Sequence, residues 1–388
     1  MLTAESLIAE WNPPSKDNFR KEGLAAFTAA GLPTPRHEDW KYTSLAGLKT
    51  LEPSEIGTAP VAPTAGPTVQ FVDGRWILPE TPPEGVLLSL SDTATPRVDD
   101  PLDALNTAFV GQVLTIAVNP GADVTLHLTF SQSGGRQHPR VVVRIGRSGR
   151  LVLLEQSVGS GAYLLNPVWE AFIAENAEWQ HVRLLNDAAP SYHLASNHLE
   201  LSRDARYRGT SVAVGGACTR STFRTALSQG SSFHLAALAL ARTGQLHDHH
   251  LVIDHREPHS ESRQHLKGVL DGDGRGVFTG KVIVRPGASK SDSDQSIRNL
   301  LLSDDAVANA RPQLEIDTDD VKCAHGTTVG RLDDESLFYL RARGIPKLEA
   351  RKLLTEAFAR DVVDGIPHEP SRAIVETAVN EWLSGMHT

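Results

Sequence analysis

The run Asp319-Asp320-Val321-Lys322-Cys323-Ala324-His325-Gly326 places a thiol and an imidazole two positions apart. On an extended strand such residues share a face, roughly 7 Å apart along the chain. A soft thiolate and an imidazole suit iron or zinc. Gly326, lacking a side chain, lets another backbone or a ligand approach closely. Two donors do not complete a cluster site, which normally takes four. Any metal held here needs further donors, most simply from a second protein. On residue types alone, a buried structural cysteine beside a hydrogen-bonded histidine is the better reading.

A second concentration of chemistry lies between Gln245 and His265, where His247, His249, His250, His255, His259 and His265 are interleaved with Asp248, Asp254, Glu257 and Glu261. On a strand His247 and His249 point the same way, a familiar arrangement for metal ligands. With His255 they define an alternative function, a cupin-like metalloenzyme. A polar strand face is the plainer reading, because spacing fixes no third ligand. The glycine-rich run Gly274 to Val282 fails as a phosphate loop. Arg275 stands where the first glycine belongs, Val282 where a magnesium-binding hydroxyl belongs, and the run enters a strand instead of a helix. A turn between strands accounts for it, and no nucleotide is expected on this chain.

The elements that must position these residues are mostly strands. From Val124 to Thr328 short alternating runs recur, among them Val124-Leu126-Leu128-Phe130, Val141-Val143-Ile145, Phe233-Leu235-Ala237, Leu251-Ile253, Val282-Val284 and Leu314-Ile316. Each predicts a strand of period two, and turn signals such as Arg147-Ser148-Gly149 and Asp271-Gly272-Asp273-Gly274 separate them. A sandwich, a barrel and a β-helix all fit this pattern. Polar second faces, as in Asn176 to His181, suit a solenoid that buries one face and exposes the other, although no fixed repeat length can be read.

Flanking segments read differently. Ser15 is placed to cap a helix through Phe19, Gly23, Ala26, Phe27 and Ala30 that Gly31 stops. Residues 51–68, rich in Pro, Ala, Gly and Thr, read as a linker or surface excursion. Asp333 predicts a helix through Leu337, Leu340 and Arg343, ended by Gly344. Pro346 opens a second, whose Leu353, Leu354, Ala357 and Phe358 share a face. A third carries Ile374, Val375, Ala378, Val379 and Trp382. These stripes must pack on each other, on the β region or on a partner.

The 388-residue chain is 40% hydrophobic and 22% charged, as expected of a globular protein with a real core. A net charge of −9, without a block of basic residues, argues against a general nucleic-acid binder. Met1 to Trp11 shows no basic leader or apolar run of signal-peptide type, and no stretch has the length of a membrane span. Cys218 and Cys323 are too sparse for a disulfide framework. The expectation is a cytoplasmic protein with free thiols, binding neither membrane nor nucleic acid.

Several runs resemble the SufB/SufD family of iron–sulfur cluster assembly proteins: His259 to Leu270, Val277 to Lys281, Asn299 to Ser303, Pro312 to Ile316, Val321 to Gly326 and Leu337 to Ile345. Near the start, Arg36-His37-Glu38-Asp39-Trp40-Lys41-Tyr42-Thr43 resembles the family's N-terminal signature. The Lys-Cys-x-His-Gly element and the modest length resemble its SufD branch, although Ala324 and Thr327 replace the commoner Ser and Ala. The resemblance implies a mainly β chain, a right-handed parallel β-helix core with helical N-terminal and C-terminal regions. The expected division is residues 1–95 as a helical region with a Pro/Gly-rich linker, 96–330 as the β-helix, and 331–388 as a helical domain. It further implies a scaffold subunit without catalysis of its own in a SufB–SufC–SufD complex. A SufC-like ATPase would dock on the C-terminal helices and a SufB-like paralogue on the β-helix, with a homodimer of the isolated chain also expected. His325, with Cys323 beside it, would take part in a transient iron–sulfur cluster shared with the paralogue.

Overall fold

The computed structural model describes residues 18–64 and 66–386. From Asp123 onward, strands of mostly ten residues alternate between two sheets. Each pairs in parallel, and in register, with a strand one turn further along. Glu178 stands beside Arg206, then Ser232, Glu261, Asp292 and Lys322 follow in one row. A chain that returns beside itself in this way is a parallel β-helix, here of about eight turns. Of the three architectures the pattern allowed, the sandwich and the barrel are thereby set aside.

One corner recurs at seven successive positions along the β-helix. Gly121, Ser148, Asn176, Asp204, Gly230, His259 and Lys290 all have φ between 56° and 71° and lie 26 to 31 residues apart. The backbone N–H of each donates to a carbonyl of the next turn, as Ser148 does to Glu175, Asn176 to Arg203 and Lys290 to Asp320. Left-handed backbone costs little for Gly and is tolerated by Asn and Asp. Ser148, His259 and Lys290 adopt it because the stacked corner holds them.

Period-two residues fill the lumen. Val124, Leu126, Leu128 and Phe130 lie within one apolar cluster that also takes in Trp169, Trp179, Tyr207, Phe223 and Phe233. The second face is not simply solvated, as the sequence pattern implied. Val182, Leu184, Val212, Leu238 and Leu240 pack outward beneath the C-terminal helices. At fully buried aliphatic positions each such side chain contributes about 1.5–3 kcal/mol of transfer free energy.

The helix Asn18–Ala30 forms where periodicity placed it, and Gly31 ends it at φ 66°. Ser15, the expected cap, lies outside the described residues. This helix packs on Pro101–Phe109, which the sequence reading missed and which Asp100 caps by accepting from the Leu102 N–H. Gly23 allows the contact, since a Cβ there would come within 2.7 Å of the Ala108 nitrogen. Residues 51–64 contain no helix or strand, yet they lie against the β-helix. The Ser54 N–H donates to the Ala162 carbonyl, and the Pro63 carbonyl accepts from Gln156. Three short strands, Thr68–Val72, Arg75–Ile77 and Val86–Ser91, then begin the two sheets.

Helices Asp334–Ala342, Lys347–Asp364 and Glu369–Ser384 close the chain. Asp333 caps the first by accepting from the Ser336 N–H at 2.7 Å. The middle helix corrects the expected face. It buries Ala350, Thr355, Ala359, Val362 and Val363, and leaves Leu353 exposed. Small residues let the helix approach the sheet, and the larger Leu353 is turned away. The third helix buries Val375, Ala378, Val379 and Trp382 as its stripe predicted.

Candidate functional site

The last strand of the β-helix, Lys322–Gly330, carries Cys323 and His325. It pairs with Asp292–Leu301 on one side and ends its sheet on the other. Cys323 is in register with Ser293 and His325 with Gln295. Both Ser293 and Gln295 are buried on the lumenal face, so the two donors stand at the open mouth of the lumen. Cys323 is half-buried against the core, whereas His325 is exposed. Val307–Ile316 ends the other sheet, and its Val307 and Ile316 are exposed, as is Val329 beside the site.

A column of hydroxyls runs beneath Cys323. Both ring nitrogens of His255 pair with serines, Nδ1 with Ser260 at 2.8 Å and Nε2 with Ser262 at 2.9 Å. Ser262 then donates to Ser293 at 2.9 Å, one position below Cys323. Burial, followed by the nearby Asp292 carboxylate, raises the Cys323 thiol above its ordinary value, against the Ser293 backbone N–H. A protonated thiol is a poor ligand, so metal binding here must expel a proton.

The histidine-rich segment lies on the strand Leu246–His255 and does not converge. His247 and His249 face the lumen and line a cavity of about 20 Å³ with Phe278, Gly268 and Asn299. The Nε2–H of His247 donates to the Leu240 carbonyl at 3.1 Å. Burial holds His247 down at about 4, His249 at about 3 and His255 at about 4. His255 is committed to the serines at the other end of the strand. Among the described residues no three His, Cys, Asp or Glu side chains are grouped to hold a metal ion. The cupin-like alternative built on His247, His249 and His255 therefore has no ligand set, because the strand spreads them along its length. The glycine-rich run is a turn and strand, and its Lys281 pairs with Glu315 at 2.7 Å.

Sequence reasoning missed the charged groups inside the lumen. Arg183 donates twice to Glu155, at 2.7 and 3.2 Å, and once to Ser221 at 3.2 Å. His181 Nε2 lies 2.9 Å from the same carboxylate, and all three residues are fully buried. Burial alone would raise Glu155, but Arg183 and His181 outweigh it and hold the carboxyl down at about 2. Nearby, Asp187 accepts from Ser157 at 2.6 Å and Tyr163 at 2.8 Å and pairs with His193 at 2.9 Å. The alternation Trp179-His181-Arg183 marks a strand, but the residue types alone do not show that His181 and Arg183 follow Trp179 into the lumen.

The N-terminal run docks on the outside of the β-helix. Thr43 donates to Asp248 at 2.5 Å, Arg220 pairs with that same carboxylate, and the Arg220 guanidinium lies 3.8 Å over the Trp40 ring. Glu38 pairs with Arg311 on the edge strand. At the C-terminal side, Lys267 joins Asp361 at 2.6 Å and the Phe358 carbonyl at 2.6 Å. The middle helix is thereby tied to Glu261–Leu270, two strands from His325.

The fold defines the class: a parallel β-helix protein with helices at both ends. The chain belongs to the SufB/SufD family: the family model for the SufBD core domain of the SUF system for iron–sulfur cluster assembly matches residues 127–358. It is 30% identical to the iron–sulfur cluster assembly protein SufD of Escherichia coli, over 94% of this chain and 92% of that protein. It is 28% identical to a SufBD family protein of Synechocystis, over 90% and 87%. Over a shorter stretch of 102 residues, it is 42% identical to SufD of Bacillus subtilis. The protein takes part in iron–sulfur cluster assembly.

Proposed function

We propose that this chain is the SufD-like scaffold subunit of a cytoplasmic SufB–SufC–SufD complex and catalyses no reaction of its own. The observation that carries the reading is the last strand, open along its outer edge, which holds Cys323 and His325 at the lumen mouth and offers no third donor among the described residues. A SufB-like paralogue laid against this open end supplies the missing ligands, and a nascent cluster forms as shared cargo. Incomplete ligation on each side suits a cluster that must be handed on. The same open end supports a homodimer of the isolated chain. Two free cysteines agree with a reducing compartment, and no helix among the described residues is long and apolar enough to cross a membrane.

In the division into residues 1–95, 96–330 and 331–388, the second and third parts take distinct roles. The β-helix carries the site, and the tail receives a SufC-like ATPase that binds the nucleotide. Phe338, 75% exposed, with Tyr339 and Leu353, supplies apolar surface for that docking. Closure of two ATPase subunits would pull on Lys347–Asp364, whose Asp361 is fastened to Lys267. A rearrangement of this kind needs only a few kcal/mol of differential contact. The test is His325→Ala in the co-expressed complex, followed by anaerobic reconstitution. Cluster yield should collapse while the complex assembles as before. Normal yield from that variant refutes the role of His325.

A further inference from the structure

Beneath His325 the lumen holds two glutamines that the fold does not explain. Gln264 and Gln295, 1% and 0% exposed, stand side by side in register on adjacent strands. The next position in the same row is His325. Neither side chain has a hydrogen-bond partner at its Nε2 or its Oε1. A buried polar group left unpaired costs about 1–3 kcal/mol, and such groups are rare enough in native interiors to call for a reason. Leucine would fill this row without that cost. The space is also kept for the amide. A Cβ on Gly280 would lie 2.9 Å from Gln295 Nε2, so a larger residue there would displace it.

The His325 side chain, which is exposed, makes no hydrogen bond or ion pair either. In-register neighbours in a sheet lie about 4.8 Å apart, so Gln295 stands one strand spacing from His325 on the same face. Metal-bound histidines almost always donate the second ring N–H to an acceptor, which fixes the tautomer and aims the other nitrogen's lone pair at the metal. We infer that Gln295 is the positioning residue for His325. When a partner closes the mouth, Gln295 Oε1 accepts the imidazole N–H, and Gln264 supports the Gln295 amide from below. The free ring nitrogen is then turned toward the iron. This inference rests on His325 being a ligand, as proposed above.

The experiment uses the co-expressed complex, kept anaerobic and titrated with Co(II) alone, with the visible d–d bands reporting affinity and stoichiometry. Gln295→Leu should weaken Co(II) binding by about tenfold or more without changing complex assembly, and should cut cluster yield in parallel. Gln295→Glu, which keeps an acceptor, should restore affinity to within about threefold of the parent. If Gln295→Leu fails to assemble, Gln295→Met, similar in length and without the amide, takes its place and must show the same loss. Should Gln295→Leu match the parent while His325→Ala loses the site, the positioning role is overturned and the ligand role stands. A Gln295→Glu variant as weak as Gln295→Leu also overturns it. Unchanged Co(II) binding in His325→Ala overturns both.

Discussion

At its N-terminal end the β-helix stops on antiparallel strands, the three-residue Arg75–Ile77 in one sheet and Val86–Ser91 in the other. At its C-terminal end it stops on Val307–Ile316 and Lys322–Gly330, long parallel strands with no further strand beside them among the described residues. The interiors differ in the same sense. Near the first end the buried charges are paired, Glu155 with Arg183 and His181, Asp187 with His193, Tyr163 and Ser157, although single atoms such as Gln132 Oε1 and Trp169 Nε1 lack a partner. Near the second, Gln264 and Gln295 go unpaired and His325 faces the opening. Natural sheets blunt their edges with short strands, charges or proline. Here the first edge is short, and the second keeps its length, blunted by Pro312 and by the charges of Arg311, Glu315 and Lys322. On the proposed reading, the open end is the one left for a partner.

The largest effect should come from the closed end. Arg183→Met strands the Glu155 carboxylate inside the lumen, and removing one member of a buried pair costs about 3–5 kcal/mol. Chemical denaturation of the isolated chain should read this loss, with little change at the open end beyond it. A cost below about 1 kcal/mol would mean that the lumen is wetter than this packing implies.

Acid should act through the same region. Glu155 is held at about 2, so its ionised form stabilises the fold fully above the unfolded carboxylate value of about 4.3. That contribution is lost as pH falls toward 2. His249 is held at about 3 and stays neutral when folded, whereas the unfolded chain takes up a proton below about 6.5. Stability therefore falls as pH drops from about 6.5 toward 3. His249→Gln should flatten the stability–pH curve in that window by about 1.4 kcal/mol per pH unit. An unchanged slope would contradict its burial as the neutral form.

Open-end substitutions should leave stability nearly untouched. Val329→Glu and Leu353→Asp lie on exposed positions and should shift unfolding by less than about 0.5 kcal/mol. Their effects should appear in association and should separate. Val329→Glu should weaken capture of the paralogue by about tenfold, roughly 1.4 kcal/mol, and Leu353→Asp should weaken capture of the ATPase instead. Equal loss of both partners from either change would dissolve the division of labour between the strand end and the tail.

Much of this architecture was legible in the chain. Alternation gave the strands, because lumen residues such as Val124 to Phe130 must point one way, and Asp333 and Gly344 marked their helix as caps do. The turn-to-turn repeat was hidden, because its corner is held by seven residues of differing type, Ser148, His259 and Lys290 among them. Backbone hydrogen bonds define that corner, and side chains barely record it. That His181 and Arg183 are buried was not legible, because alternation does not say which face is inside. Leu353 read as buried because size suggested it, whereas close helix–sheet contact selected Ala350 and Ala359. The Cys323 and His325 pair was visible as a motif. The unmatched glutamines below it were not, since only register brings them into line.

The central claim is that iron can settle on this protein only when another subunit completes the donor set. Anaerobic iron and sulfide analysis of the purified chain alone, beside the same chain co-assembled with its paralogue and ATPase, tests it directly. The lone chain should carry far less than one cluster equivalent, and the assembled complex should accumulate iron and sulfide together. A full, stable centre on the isolated chain would contradict the account.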